Sequence, residues 1–225
     1  MGIDILLTGA NRGIGLEFAR QFSERGDRVV ATCRNPAAAT ELQSLEVEVA
    51  ALDVTDGAAI EALAEHYAER SFDLLLNSAG VGVNHVPLGE LDYGQVERFY
   101  LTNTVGPLRI AEALLPALRR GHGKKIASLT SRMGSIQDNT SGGAYAYRAS
   151  KAALNMVTKT MAIDLTPEGF TCVVLHPGWV QTAMGGDSAP VTIAQSVAGM
   201  VRVIDGVDSA DSGSFFDYTG DQLPW

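Results

Sequence analysis

Tyr147 and Lys151 stand four residues apart in the run Tyr147-Arg148-Ala149-Ser150-Lys151, a spacing that puts both side chains on one face of a helix. An ammonium beside a phenol favours the phenolate, so the pairing is expected to lower the tyrosine pKa from its ordinary value of about 10. A phenol tuned in that way passes a proton near neutral pH. Far upstream, Thr8-Gly9-Ala10-Asn11-Arg12-Gly13-Ile14-Gly15 supplies a glycine-rich turn, of the kind that lets backbone approach a pyrophosphate. Together the two runs imply hydride transfer to or from a carbonyl carbon.

These groups need elements to position them. Residues 3–8 read as a buried strand and 13–25 as the helix after it, so the glycines fall between strand and helix. That context matters, because an ordinary strand–helix turn also favours glycine. Further strands are expected at 28–33, 47–52, 72–76, 126–129, 171–175 and 214–217. Helices are expected at 37–44, 58–70, 93–119, 144–165 and 193–203. Gly106-Pro107 should disturb the middle of the 93–119 helix, and Pro167-Glu168-Gly169 should stop the 144–165 helix. The alternation predicts an α/β fold: one doubly wound Rossmann-type domain over residues 1–225, with a parallel sheet of about seven strands and helices on both faces.

Composition narrows the function classes. Hydrophobic residues make up 46% and charged residues 19% of the 225, the balance of an ordinary globular chain. No apolar run approaches the roughly 20 residues that span a bilayer, and the first residues lack a signal-peptide pattern. A cytoplasmic protein with no membrane partner is expected. The net charge of −9 disfavours nucleic acid, whose phosphates want a basic surface. Cys33 and Cys172 lie in apolar strand-like stretches and read as reduced core residues. The four histidines lack ligand spacing, so no metal site is expected.

The glycine run assigns the cofactor. Gly9, Gly13 and Gly15, with Asn11, Arg12 and Ile14, would seat a pyrophosphate at the N-terminus of the first helix. At the end of the second strand an acid would bind a ribose 2′-hydroxyl, whereas an arginine would accept a 2′-phosphate. The chain has Thr32-Cys33-Arg34-Asn35 there, and Arg12 brings a second guanidinium. NADP(H) is therefore preferred, with NAD(H) still possible; the alternative is that Arg34 is a solvated loop residue. Asp53, followed by Val54, either accepts from the adenine amino group or serves as a helix-capping or loop acid.

The chain resembles the short-chain dehydrogenase/reductase family in motifs that come in family order over nearly its whole length. Thr8 to Gly15 matches TGxxxGxG, Asn77-Ser78-Ala79-Gly80 matches NNAG with one change, and Tyr147/Lys151 matches YxxxK. Pro177-Gly178-Trp179-Val180 with Thr182 looks like the PG motif that meets the nicotinamide amide. The resemblance implies that Tyr147 is the general acid/base and that Lys151 tunes it and binds the nicotinamide ribose. It also implies a serine after the fifth strand that holds the carbonyl oxygen. Thr130-Ser131-Arg132-Met133-Gly134 fits that frame, with Ser128 and Ser135 as rivals. The stretch from Ser131 to Tyr147 is longer than usual in the family, the excess falling in residues 139–143. Asn103 matches the family's asparagine that holds a water in a relay to the lysine; it is equally an asparagine that bends a long helix. Asn77 has its own alternative as a strand-end turn residue.

Around Met133-Gly134-Ser135-Ile136, through Tyr147 to Asn155 and in Phe215 to Trp225, the chain is similar to the C-factor/sniffer carbonyl-reductase branch. That branch implies NADPH-dependent reduction of aldehydes, ketones or quinones, with signalling roles in some members. The segment Thr182 to Pro190 would form a small substrate lid, and Trp179, Met133 and Met184 would wall the site. Helices apolar on more than one side suggest a homodimer or homotetramer. The alternative from another class is a dinucleotide-binding signalling or sensor protein with little turnover.

Overall fold

The computed structural model of the chain describes residues 2–82 and 85–225. Seven strands form one parallel sheet: β1 (Asp4–Thr8), β2 (Arg28–Cys33), β3 (Glu48–Ala51), β4 (Leu74–Asn77), β5 (Lys125–Leu129), β6 (Thr171–His176) and β7 (Phe215–Asp217). Their order is β3-β2-β1-β4-β5-β6-β7. β1 and β4 are buried at every position, which requires cover on both faces. Alternation along each strand divides that cover. Ile5, Leu7, Val29, Leu76 and Leu175 face helices α1 (Gly13–Arg25), α2 (Thr40–Gln43) and α7 (Ile193–Gly206). Leu6, Val30, Leu75, Ile126 and Cys172 face α3 (Gly57–His66), α5 (Gly106–Arg120) and the C-terminal half of α6 (Tyr145–Leu165).

After β3 the chain crosses back to place β4 on the other side of β1. The strand order reverses there, so a crevice opens at the carboxyl ends of β1 and β4, where ligands of such sheets bind. Asp56 caps α3 by accepting from the Ala58 and Ala59 amides. Asp92 caps α4 (Tyr93–Tyr100), and Thr192 and Gln195 form a reciprocal capping box on α7. No helix among the described residues is long and apolar enough to cross a membrane.

Several element boundaries differ from expectation for identifiable reasons. Only Thr40–Gln43 of the 37–44 stretch is α-helical, because Pro36 opens a separate 3₁₀ turn and Ala39 leaves helical geometry. α3 stops at His66 instead of 70; Tyr67 turns inward and donates to Glu48 Oε1 at 2.6 Å. The 93–119 stretch is α4, a π-helical turn (Leu101–Val105) and α5. The disturbance lies one turn before Gly106-Pro107. Pro107 lacks the N–H that would meet the Asn103 carbonyl in an α-helix, and its ring crowds that carbonyl. The ladder therefore widens, and the Gly106 amide reaches back to the Leu101 carbonyl.

Candidate active site

The glycine turn after β1 forms one wall of the crevice. Gly9 has φ +70°, and a Cβ on it would lie 2.6 Å from the Ala79 Cα; one on Gly15 would lie 2.2 Å from the Gly9 carbonyl oxygen. Thr8 Oγ1 accepts from the Ser78 and Ala79 amides, both at 3.1 Å, and so locks the exit of β4 to this turn. The N-cap residue of α1, Arg12, is extended and makes no side-chain cap. Where α3, α4 and α7 have their first N–H groups satisfied, α1 leaves its own for an anion. A phosphate fits that cradle.

Asn11, Arg12 and Arg34 are exposed around it, while Ile14 is partly buried. Neither arginine makes an ion pair among the described residues. Asp53 Oδ1 accepts from the Thr55 amide at 2.9 Å and from its hydroxyl at 2.7 Å. Those bonds hold its carboxyl below the usual carboxylate range. Asp53 thus braces Thr55 in the loop after β3, and Asp56 is the cap of α3. Val54 is buried beside it. Asn77, at the end of β4, donates to Ser128 Oγ at 3.3 Å, and its Oδ1 is buried with no partner among the described residues.

The four residues expected to do the chemistry converge beyond the carboxyl end of β5. Tyr147, Lys151, Ser131 and Asn103 are all buried. Ser131 is the side chain that acts on the Tyr147 phenol, favouring its charged form. Ser128 is engaged by Asn77, and Ser135 donates to the Trp225 carbonyl and accepts from the Asp138 amide, so neither rival serine is bonded to Tyr147. Tyr145 points outward and is exposed. The Lys151 Nζ donates to the Leu129 carbonyl at 2.7 Å and lies 5.9 Å from the Tyr147 ring centroid. Asn103 occupies the middle of the π-helical turn. Its Oδ1 accepts from the Val81 amide at 2.9 Å, and its Nδ2 donates to Ser150 Oγ at 3.0 Å. Gly80 lies between Asn103 Oδ1 and Lys151 Nζ. The asparagine thus shapes the loop after β4 as well as the helix, through a widened turn of the kind often found at functional sites.

Tyr147 was expected to be lowered by the ammonium, yet burial pushes its phenol up, with Ser131 acting in the opposite direction. Burial also brings Lys151 down to about 8. Removing both groups from water disfavours the charged form of each, and this outweighs the attraction that the four-residue spacing suggested. The phenol therefore stays protonated at neutral pH.

The segment after β6 closes the crevice from above. Gly178 turns with φ +86° against Tyr218, and the Pro177 carbonyl accepts from Ser196 Oγ at 2.6 Å. Val180 is buried and bridges to Val191. Thr182 Oγ1 accepts from the Gly185 amide at 3.1 Å, and its methyl lies 4.0 Å from where a Cβ on Gly13 would sit. Met184 packs on Gly82, and exposed Trp179 donates from Nε1 to the Gly185 carbonyl at 2.7 Å. The strap therefore touches the glycine turn with Thr182 and the loop after β4 with Met184. Met133 packs with Val81, Phe99 and Tyr147. Phe99, edge-on to the Tyr147 ring at 6.4 Å, was not singled out from the sequence. The break that turns it inward carries no residue signal beyond Gly106-Pro107.

The lysine shift has a measurable sign. Between pH 8 and 10.5 the unfolded chain holds a proton on Lys151 that the folded chain has shed, so stability rises with pH across that window. Thermal unfolding of Lys151→Met beside the parent is expected to show the difference moving in the parent's favour by up to about 3 kcal/mol from pH 8 to 10.5. A pH-independent difference would contradict the burial of the ammonium.

Comparison with known proteins places this arrangement. The family model for short chain dehydrogenase matches residues 4–191. C-signal of Myxococcus xanthus is 51% identical over 166 residues, which are 74% of this chain and all of that protein. Among solved structures, the carbonyl reductase Sniffer of D. melanogaster superposes with a TM-score of 0.94 at 34% identity, covering all of both chains. The NADPH-bound carbonyl reductase from chicken fatty liver superposes with a TM-score of 0.92 at 36% identity, covering 100% of this chain and 99% of that one. The sheet, the motif order and these similarities agree: this oxidoreductase belongs to the short-chain dehydrogenase family, in the branch of C-signal and the Sniffer-type carbonyl reductases.

Proposed function

We propose that the chain is an NADP(H)-dependent carbonyl reductase acting on small aldehydes, ketones or quinones, with Tyr147 as general acid/base. The observation that carries this reading is the convergence of buried Ser131, Tyr147, Lys151 and Asn103 at the glycine-lined crevice. NADPH, when bound, supplies the hydride. Ser131 and Tyr147 hold the carbonyl oxygen from two sides, and Tyr147 gives it the phenolic proton as the carbon is reduced. In the reverse direction the phenolate accepts the alcohol proton. Burial keeps the phenol protonated, the form that reduction needs. Lys151 would stabilise the phenolate left behind and, with Tyr147, would hold the ribose hydroxyls of the cofactor. Asn103 holds the Lys151 side of a proton relay.

The cradle of Gly9, Asn11, Arg12, Gly13, Ile14 and Gly15 fits a pyrophosphate. Arg34, with Arg12, would meet a 2′-phosphate, which favours NADP(H) over NAD(H); the NADPH-bound chicken reductase supports this choice. Asp53 and Val54 would border the adenine. Asn77, Ala79 and Gly80 would border the ribose side, and Pro177, Gly178, Val180 and Thr182 the nicotinamide amide. One domain spanning residues 1–225 carries both sites, in a protein of the cytoplasm.

Leu101 and Leu108 are exposed along the α4–α5 rod, and Met156 and Ile163 along α6. Met156 and Ile163 are seven residues apart, two turns on one face of α6, while Leu101 and Leu108 flank the π-helical turn. We assign that surface to a homodimer contact. A second reading, a dinucleotide-binding signalling or sensor protein with little turnover, is favoured by one observation, the 51% identity to C-signal.

NADPH oxidation against a panel of aldehydes, ketones and quinones separates the two readings. The parent is expected to turn over several compounds, and Tyr147→Phe to lose about 10²- to 10⁴-fold in kcat. Tight NADPH binding with no turnover of any compound would favour the signalling reading. Arg34→Asp is expected to cut the preference for NADPH over NADH by about 10-fold or more; an unchanged ratio would remove the main support for the 2′-phosphate assignment. Sedimentation should show a dimer at micromolar concentration that Ile163→Glu dissociates, and a monomeric parent would defeat the assembly.

A further inference from the structure

The end of β5 and the segment after it are held to α6 by five hydrogen bonds, one of them from Thr130 Oγ1 to the Lys151 carbonyl at 3.5 Å. Lys151 Nζ donates to the Leu129 carbonyl at 2.7 Å. Thr130 Oγ1 donates to Asn155 Oδ1 at 2.6 Å, and Asn155 Nδ2 donates to the Gly134 carbonyl at 3.3 Å. Arg148 Nη1 donates to the Met133 carbonyl at 3.3 Å. Positions 148, 151 and 155 follow one stripe of the helix. Ser131 lies between the two points that Asn155 grips.

Two further observations show that the grip is built. Asn155 is 4% exposed, so its amide gave up water, and each end is repaid by one partner from the same short segment. Burying an amide without partners costs free energy, and an apolar residue would fill the volume without that risk. Gly134 lets the segment seat: a Cβ there would lie 2.9 Å from the Lys151 carbonyl carbon and Cβ. Arg148 extends the grip outward, donating from Nε to the Gly142 carbonyl at 3.1 Å and from Nη2 to Ser141 Oγ at 2.8 Å. It thereby joins the Ser131 segment to the long loop that precedes α6. Within the segment, Ser131 Oγ accepts from the Met133 amide at 3.1 Å, and the Ser131 carbonyl accepts from the Gly134 amide at 2.8 Å.

We propose that Asn155 and Arg148 are positioning residues that hold Ser131 in register with Tyr147 by clamping its segment to the helix that carries the tyrosine. This rests on the roles given to Ser131 and Tyr147 above. Displacing a catalytic group by about 1 Å can cost about 10²-fold in rate, so the clamp acts on kcat through Ser131.

The test is a double-mutant cycle on the panel compound that the parent turns over fastest, with amide hydrogen exchange measured on the same proteins. Asn155→Ala is expected to lower kcat by about 10- to 100-fold, with the NADPH dissociation constant within about threefold of the parent. In the Ser131→Ala background the same change should add little, because residues acting through one group are not additive. A side chain that only fills volume would give losses that multiply. Exchange across residues 130–136 should rise in Asn155→Ala while residues 156–165 stay protected. Should Asn155→Ala fail to fold, Arg148→Met, at a partly exposed position, carries the same cycle and exchange measurement. Multiplying losses, or exchange unchanged across 130–136, overturn the proposal. A parent that turns over no panel compound defeats the carbonyl-reductase reading instead, and the exchange measurement then decides the clamp alone.

Discussion

The Lys151 ammonium lies in the interior with no carboxylate ion-paired to it among the described residues, held by the carbonyl of the last β5 residue. A charge so placed is unfavourable unless the surroundings are fixed, because a single backbone dipole does not replace a hydration shell. The neighbourhood is accordingly tight. The π-helical turn brings Asn103 up against Val81 and Ser150, Thr104 Oγ1 donates to the Ser150 carbonyl, and Gly134 lies against Lys151 itself. The helix, the segment after β5 and the widened turn form one unit around the buried cation. The tyrosine sits where that unit meets the crevice.

The crevice follows a different logic. Its charge-binding capacity comes from backbone left unsatisfied at the start of α1, while the other long helices with clear N-caps are closed by Asp56, Asp92 and Thr192. Of the two long helices on that face of the sheet, α7 is capped and α1 is not. Thr8 then couples the two regions, since its hydroxyl receives both amides at the exit of β4, and the next residues of that loop reach Asn103. Changes at the glycine turn are thus felt near the lysine through a few short links.

The sheet was legible in the chain because parallel strands covered on both faces read as short apolar runs, with the edge strands β3 and β7 partly open, and all seven expected runs are strands. The glycine run and the Tyr147/Lys151 pair were legible because each depends on local spacing. What escaped depends on contacts between distant segments. Nothing near Phe99 marks it as the neighbour of Tyr147, and Asn155 reads as an ordinary polar residue until its partners after β5 are known. The direction of the Tyr147 shift escaped for the same reason. Spacing reports how near a lysine is, whereas burial depends on everything else that covers the pair. Helix ends at His66 and within 37–44 were misjudged because Tyr67, Pro36 and Ala39 override a continuous helical pattern.

The π-helical turn also sets a phase. Each residue of an α-helix advances the side-chain direction by about 100°, so widening one turn rotates everything before it relative to everything after. α5 keeps Ile110, Leu114 and Leu118 on the sheet, while α4, on the far side of the offset, aims Phe99 at the tyrosine. A continuous α-helix through residues 93–120 could satisfy one of these alignments and not both. Winding residues 101–105 at regular α pitch, with no residue removed, would swing the whole of α4 about its axis by about 100°, taking Phe99 off the Tyr147 ring. The offset lets one rod of chain serve two surfaces, the hydrophobic layer beneath the sheet and the aromatic wall of the site.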